Sequence, residues 1–147
     1  MHPLKIKAIE YLARREHSVK ELQTKLAHHS SDPQEIQTLL AELLADNTLS
    51  PARFLESRIR HRLHQGYGRL KITQELAQVH GFKNTDIHAA FDHLSPEESE
   101  LDQLQALLQK KYPDFESLDP TATQKIIKKL MQRGFRYDLI RQLVKHS

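Results

Sequence analysis

Cysteine and tryptophan are both absent from this chain, and each absence removes whole classes of chemistry. Without cysteine there is no disulfide framework, no zinc–thiolate site and no thiol nucleophile. With aromatic residues at 6% against 38% apolar residues overall, the core has to be aliphatic, built mostly from leucine. No run of about 18 apolar residues occurs, which excludes a membrane-spanning helix. The opening MHPLKIKAIEYLARR carries charges inside its apolar pattern and lacks the apolar stretch of a signal peptide. These features point to a cytoplasmic protein. Strand signals are nearly missing: there is no sustained alternation, no Asn-Gly hairpin and few β-branched clusters. GxGxxG, P-loop, HExxH, GxSxG and paired CxxC signatures are lacking too, so the sequence reads as a non-enzyme without a cofactor.

What the chain does have is charge in blocks. The whole carries +3, yet Lys5 to Lys25 nets +3, Asp32 to Asp46 −4, Arg53 to Lys83 +5, Asp86 to Asp102 −6 and Lys125 to Lys145 +6. In the central basic block Leu55, Ile59 and Leu63 form one apolar helical stripe, flanked by Arg58 and Arg62 on one side and Arg53 and Arg60 on the other. Gly66-Tyr67-Gly68 then breaks the helix. A second stripe of Ile72, Leu76 and Val79 follows, with Arg69, Lys71, Gln74 and Gln78 mostly turned away from it. Two short helices across a glycine corner, the second presenting basic and amide groups, resemble a helix-turn-helix for nucleic acid. Clustering of one sign on such a pair favours a polyanionic partner over an ordinary solvated face.

Alternating charge prompts a search for repeats, and helix stop signals supply them. Gly81-Phe82 and Gly134-Phe135 each end an apolar-periodic run, with glycine suited to a left-handed cap and phenylalanine able to fold back on the preceding turn. Aligning these runs pairs Leu26, Leu76 and Leu130. Asp32-Pro33, Ser50-Pro51, Ser95-Pro96 and Asp119-Pro120 are cap–proline pairs, and Ser18 with Glu21 and Ser95 with Glu98 are spaced as capping boxes. The pattern predicts nine helices, near 4–15, 18–29, 33–45, 51–65, 69–80, 85–94, 96–111, 120–133 and 136–146, with Thr85 or Asp86 opening the sixth. Grouped in threes they give an all-α, elongated and curved array of tandem three-helix modules at 1–48, 49–94 and 95–147. Units this small bury little surface alone, so neighbours are expected to stack. The loop Tyr112-Pro113-Asp114-Phe115 is expected to be pinned to the core by its aromatics.

Several clusters imitate chemistry. His28/His29, His61/His64 and the His88/Asp92 pair do not assemble a four-ligand metal site, and the histidines read as surface helix residues. Tyr137 near Arg133, Arg136, Arg141 and His146 imitates a nucleophile among phosphate-binding arginines, but a helix-starting tyrosine more often packs. Glu97/Glu98 belong to a helix start, where they complement the dipole. Tyr67 could stack on a base or wedge its two helices apart, and the sequence leaves both open.

Three stretches resemble the RecX family, regulators of the bacterial RecA recombinase. The first is Tyr11-Leu12-Ala13-Arg14-Arg15-Glu16-His17-Ser18 with Glu21-Leu22 and Lys25-Leu26. The second is Phe54 through Arg58, then Gly66-Tyr67-Gly68, Ile72, Gln74-Glu75-Leu76 and Gly81-Phe82. The third is Lys129-Leu130-Met131-Gln132-Arg133-Gly134-Phe135 with Ile140. The central block departs from the family pattern at Leu49–Arg53, Leu70–Thr73 and Val79-His80. The resemblance implies a protein without enzyme activity that lodges on the RecA–single-stranded-DNA filament and limits its growth, recombination and co-protease action; the chain is expected to be a monomer. Partner- or DNA-binding residues are expected among Arg14, Arg15, Arg58, Arg60, Arg62, Tyr67, Arg69, Lys71, Lys128, Lys129, Arg133 and Arg136, with double-stranded DNA a further candidate partner. The alternative expectation is an independent helix-turn-helix DNA-binding regulator.

Overall fold

The computed structural model describes residues 2–143. Among them are nine α-helices and no strand: α1 (Pro3–Arg14), α2 (Val19–Leu26), α3 (Pro33–Ala45), α4 (Pro51–His64), α5 (Arg69–Gln78), α6 (Asn84–Asp92), α7 (Glu100–Lys111), α8 (Pro120–Gln132) and α9 (Tyr137–Leu143). The predicted end of the last helix, 144–146, and His146 with it lie outside the described residues. The fold is therefore all-α, as the periodicity requires. The chain divides into two compact units, Met1–Ser57 and Arg58–Ser147.

In the first unit the helix starts are fixed locally. Ser18 Oγ accepts from the Glu21 N–H at 3.1 Å while Glu21 Oε1 accepts from the Ser18 N–H at 3.1 Å, a complete capping box. Asp32 caps α3 ahead of Pro33, its Oδ1 accepting from the Gln34 N–H at 3.0 Å. The inward stripes of α1, α2 and α3 supply Leu4, Ala8, Leu22, Leu26, Ile36, Leu39, Leu40 and Leu43, closed off by Leu49. Asn47, at φ 64°, reverses the chain so that the Leu49 N–H reaches the Leu43 carbonyl at 3.0 Å. The loop between α1 and α2 carries a histidine of its own. His17 is buried there, with Nδ1 3.0 Å from the Arg15 carbonyl and Nε2 2.8 Å from Lys25 Nζ. Both contacts suit a neutral ring, and burial lowers its pKa.

In the second unit, α4 buries Ile59 and Leu63, α5 buries Ile72 and Leu76, and α6 adds Ile87, Ala90 and Phe91. Val79 does not continue the α5 stripe: it is 57% exposed, because α5 ends at Gln78 and the chain turns out through Gly81. Nor is α6 capped by Thr85 or Asp86; its N-cap is Lys83, with no side-chain hydrogen bond. Ser95 does not start α7 either. Pro96–Glu98 form a separate 3-10 turn, and Ser99 caps α7, its Oγ accepting from the Asp102 N–H at 3.2 Å. Proline fits the first position of either kind of turn, so the cap–proline signal locates a start without fixing the helix that follows. Leu104, Leu108, Ile126, Ile127, Leu130, Phe135, Leu139 and Ile140 make the second cluster of this unit. Phe115 is buried in it and Tyr112 packs on its edge, so the loop between α7 and α8 is pinned by its aromatics.

Candidate nucleic-acid and partner interface

The site is built on two glycine corners that touch. At the end of α4 the Tyr67 N–H bonds back to the Arg62 carbonyl at 3.0 Å around Gly66, whose φ is 90°. At the end of α8 the Phe135 N–H does the same to the Leu130 carbonyl at 3.1 Å around Gly134, φ 97°. These are helix C-terminal turns that require the left-handed conformation. The corners then join: the Gly68 N–H donates to the Arg133 carbonyl at 2.8 Å, and the Leu70 N–H donates to the Gly134 carbonyl at 3.0 Å. A Cβ on Gly68 would fall 2.5 Å from the Gly134 carbonyl carbon, and one on Gly134 would fall 2.5 Å from Lys71 Cβ and 2.6 Å from its nitrogen. Only a glycine pair allows this approach.

Glu100 braces the same corner. Gly68 has no side chain to cap α5, and Glu100 Oε2 accepts from the Arg69 N–H at 2.6 Å instead. Arg136 Nη2 lies 3.8 Å from the other oxygen. Burial raises the Glu100 pKa, opposed by the Arg69 N–H and the nearby arginines.

Ion pairing divides the cations into compensated and uncompensated sets. Arg62 grips Glu75 with Nε at 2.9 Å and Nη2 at 2.7 Å, and Arg58 approaches the same carboxylate at 3.6 Å. Hydrogen bonding from Arg62 holds Glu75 below its ordinary pKa. Arg60 pairs with Glu98. Arg69, expected to be exposed, is half-buried, its guanidinium 4.6 Å from the centre of the Phe91 ring and 2.8 Å from His88 Nδ1. In the first unit Arg15 binds Glu21 through two 2.9 Å contacts, and Arg53 binds Glu16 at 3.0 Å. Much of the central +5 block is thus paired with carboxylates of the same chain.

A different set remains uncompensated. Lys71, Lys111, Lys129 and Arg133 line a surface depression of about 460 Å³ together with Tyr67, Tyr112, Leu107, Leu130 and Gln132. None of those lining residues is acidic, and none of the four cations has a carboxylate partner among the described residues. Tyr67 is near two of them, its ring centre 5.5 Å from Lys71 Nζ and 5.6 Å from the Arg133 guanidinium. Arg133 Nη1 also donates to the Gly66 carbonyl at 3.2 Å. Of the residues singled out from sequence, Tyr67, Lys71, Lys129 and Arg133 converge here. Lys128 and Arg14 are exposed elsewhere. Lys111 and Tyr112 were missed, because they end a helix and open an interruption that carried no binding signal of its own. The Tyr137 arginine set does not assemble: Arg133 turns to Gly66, Arg136 to Glu100, and Arg141 alone lies over the Tyr137 ring at 5.8 Å. No group of three or more metal-ligating side chains occurs among the described residues.

Profiles of three family domains match the chain in order: RecX, first three-helix domain, over 5–43; second, over 52–90; and third, over 97–144. The chain belongs to the RecX family. Among its RecX relatives, the regulatory protein of Pseudomonas fluorescens is 35% identical over 137 residues, 93% of this chain and 86% of that protein. The one from Leptothrix cholodnii is 36% identical over 144 residues, 97% of this chain and 87% of that protein. The crystal structure of RecX from Lactobacillus salivarius matches with a TM-score of 0.77 at 19% identity, over 97% of this chain and 92% of that one, a likeness of fold. Among the described residues no helix is long and apolar enough to cross a membrane.

Proposed function

We propose that this RecX chain regulates the RecA recombinase by binding the RecA–single-stranded-DNA filament, limiting its growth, ATP hydrolysis and co-protease action. It does so as a cytoplasmic monomer without catalysis of its own. Membership of a regulatory family supports the reading, and the observation that carries it is the depression lined by four uncompensated cations and no acid. A filament offers both a phosphate backbone and a repeating protein surface. Modules at 1–48, 49–94 and 95–147 would engage successive filament positions, so that each contact raises the effective concentration of the next.

The experiment is addition of the protein to preformed RecA filaments on single-stranded DNA, following ATP hydrolysis and filament length. Suppressed hydrolysis with shortening filaments is the expected result. Unchanged hydrolysis and length at saturating protein would overturn the proposal. Footprinting on duplex and single strands without recombinase separates it from an independent DNA-binding regulator, which would protect duplex unaided.

A further inference from the structure

We propose that the depression between the two glycine corners is a clamp for adjacent phosphates, in which Tyr67 gathers cations and does not serve as a stacking platform for a base. The proposal rests on the filament reading for its partner, but its chemistry stands on the geometry. Four cations converge on one depression with no acid among its lining residues, whereas Arg58, Arg60 and Arg62 a few residues away are all matched by glutamates. Like charges held together without a counterion repel, so an anion that enters the depression relieves that repulsion and neutral groups that hold the cations lessen its cost. Neutral holders are present for two of the four, while Lys111 and Lys129 are exposed to solvent. The Tyr67 ring attracts Lys71 and Arg133 through its negative face, and the Gly66 carbonyl fixes Arg133 from behind.

The same contacts argue against base stacking on Tyr67. Two cations already lie within cation–π distance of the ring, at 5.5 and 5.6 Å, so a stacking base would compete with them for it. Exposed Lys111 and Lys129 extend the positive surface, so the depression offers positive groups to more than one phosphate oxygen at once. The chemistry recognised is therefore two or more neighbouring phosphates. A nucleic-acid strand and a free polyphosphate both carry that chemistry.

The test uses the full chain and fluorescence anisotropy on labelled oligo(dT), on an abasic strand of equal length, and in competition with inorganic tripolyphosphate. Lys111→Gln with Lys129→Gln should lower the log–log salt slope by about 1.4, at roughly 0.7 per lost contact on a single strand. Tyr67→Ala removes no charge, so it should weaken binding at least fivefold with the slope nearly unchanged, and Tyr67→Phe should recover most of that loss. The abasic strand should bind within threefold of oligo(dT). Thermal midpoints of the variants within a few degrees of the parent identify folded protein. An unchanged slope in the lysine double variant overturns the clamp. So does a tenfold or greater preference for oligo(dT) over the abasic strand that disappears in Tyr67→Ala, because a stacking platform would behave that way. Tripolyphosphate competing more weakly than the strand assigns the clamp to nucleic acid, and competing more tightly assigns it to free polyphosphate. RecA ATP hydrolysis measured with the same proteins keeps the two proposals apart. If the parent protein binds strands as described but leaves the recombinase unaffected, the filament reading fails and the clamp stands.

Discussion

Gly81-Phe82 and Gly134-Phe135 are the same residue pair at the ends of two corresponding helices, and they do different work. Both glycines take positive φ, 75° and 97°. Both following phenylalanines send their N–H back to a buried leucine carbonyl, Leu76 at 3.0 Å and Leu130 at 3.1 Å. Around Gly81 an added Cβ would meet nothing within 4 Å. On Gly134 it would collide with the backbone and Cβ of Lys71. The first corner only ends a helix. The second ends a helix and is also a bearing surface for the Gly68 corner, and the uncompensated cations gather beside that contact. A local stop signal is therefore no guide to whether its glycine is needed for the turn alone or for close approach.

Predictions that sharpen this contrast run from large to small. Leu76→Ala and Leu130→Ala remove equally buried side chains at matching positions, and each should cost about 2–5 kcal/mol in urea unfolding. Two similar losses would confirm that the helices themselves are equivalent. The glycines should then separate. Gly134→Ala combines a left-handed backbone with overlap against neighbouring backbone and should cost about 3 kcal/mol or more. Gly81→Ala faces only the conformational penalty and should cost about 1 kcal/mol. Equal losses for the two glycine variants would abolish the distinction between a bare cap and a joint.

The smallest expected effects concern pH and distinguish a carboxylate bracing the joint from one closing an ordinary capping box. Burial alone would raise the Glu21 carboxyl, but hydrogen bonds from Arg15 and the Ser18 N–H, with Arg15 charge, hold it at about 2. Its folded pKa lies below the ordinary 4.5, so its contribution to stability is present above 4.5 and is lost as pH falls toward about 2. Glu100 has the opposite sign. Burial raises its pKa, so the folded state holds the proton more tightly and stability falls as pH rises above 4.5 through the folded value. In urea titrations, Glu21→Gln should flatten the acid-side loss, whereas Glu100→Gln, which keeps an acceptor for the Arg69 N–H, should remove the decline at higher pH. Parallel pH profiles for the two variants would contradict the assigned environments.

Helix existence and most helix starts were legible because their causes lie within a few residues. Ser18, Asp32, Ser50 and Asp119 each accept from an N–H two or three positions ahead. Apolar spacing likewise marked Leu26, Ile59, Leu63, Leu76 and Leu130 as core, and all five are buried. The same periodicity overreached at Val79, since it carries no knowledge of where a helix stops.

Charge was the least legible property. A basic block summed along the chain cannot show that Glu75 would take Arg58 and Arg62, that Glu98 would take Arg60, or that Glu100 would cap α5 from 31 residues away. Lys111 and Tyr112 joined Tyr67 and Lys71 only when the chain folded, and Arg133 reached the Gly66 carbonyl across 67 positions. The sequence by itself determined the helices, most of their caps and buried stripes, and the places where glycine must reverse the chain. Those depend on hydrogen bonds and side-chain periodicity no longer than a turn or two. Only the tertiary structure decided which glycine is a joint and which cations stay unmatched, because close approach and charge compensation are set by distance in space, not by separation along the chain.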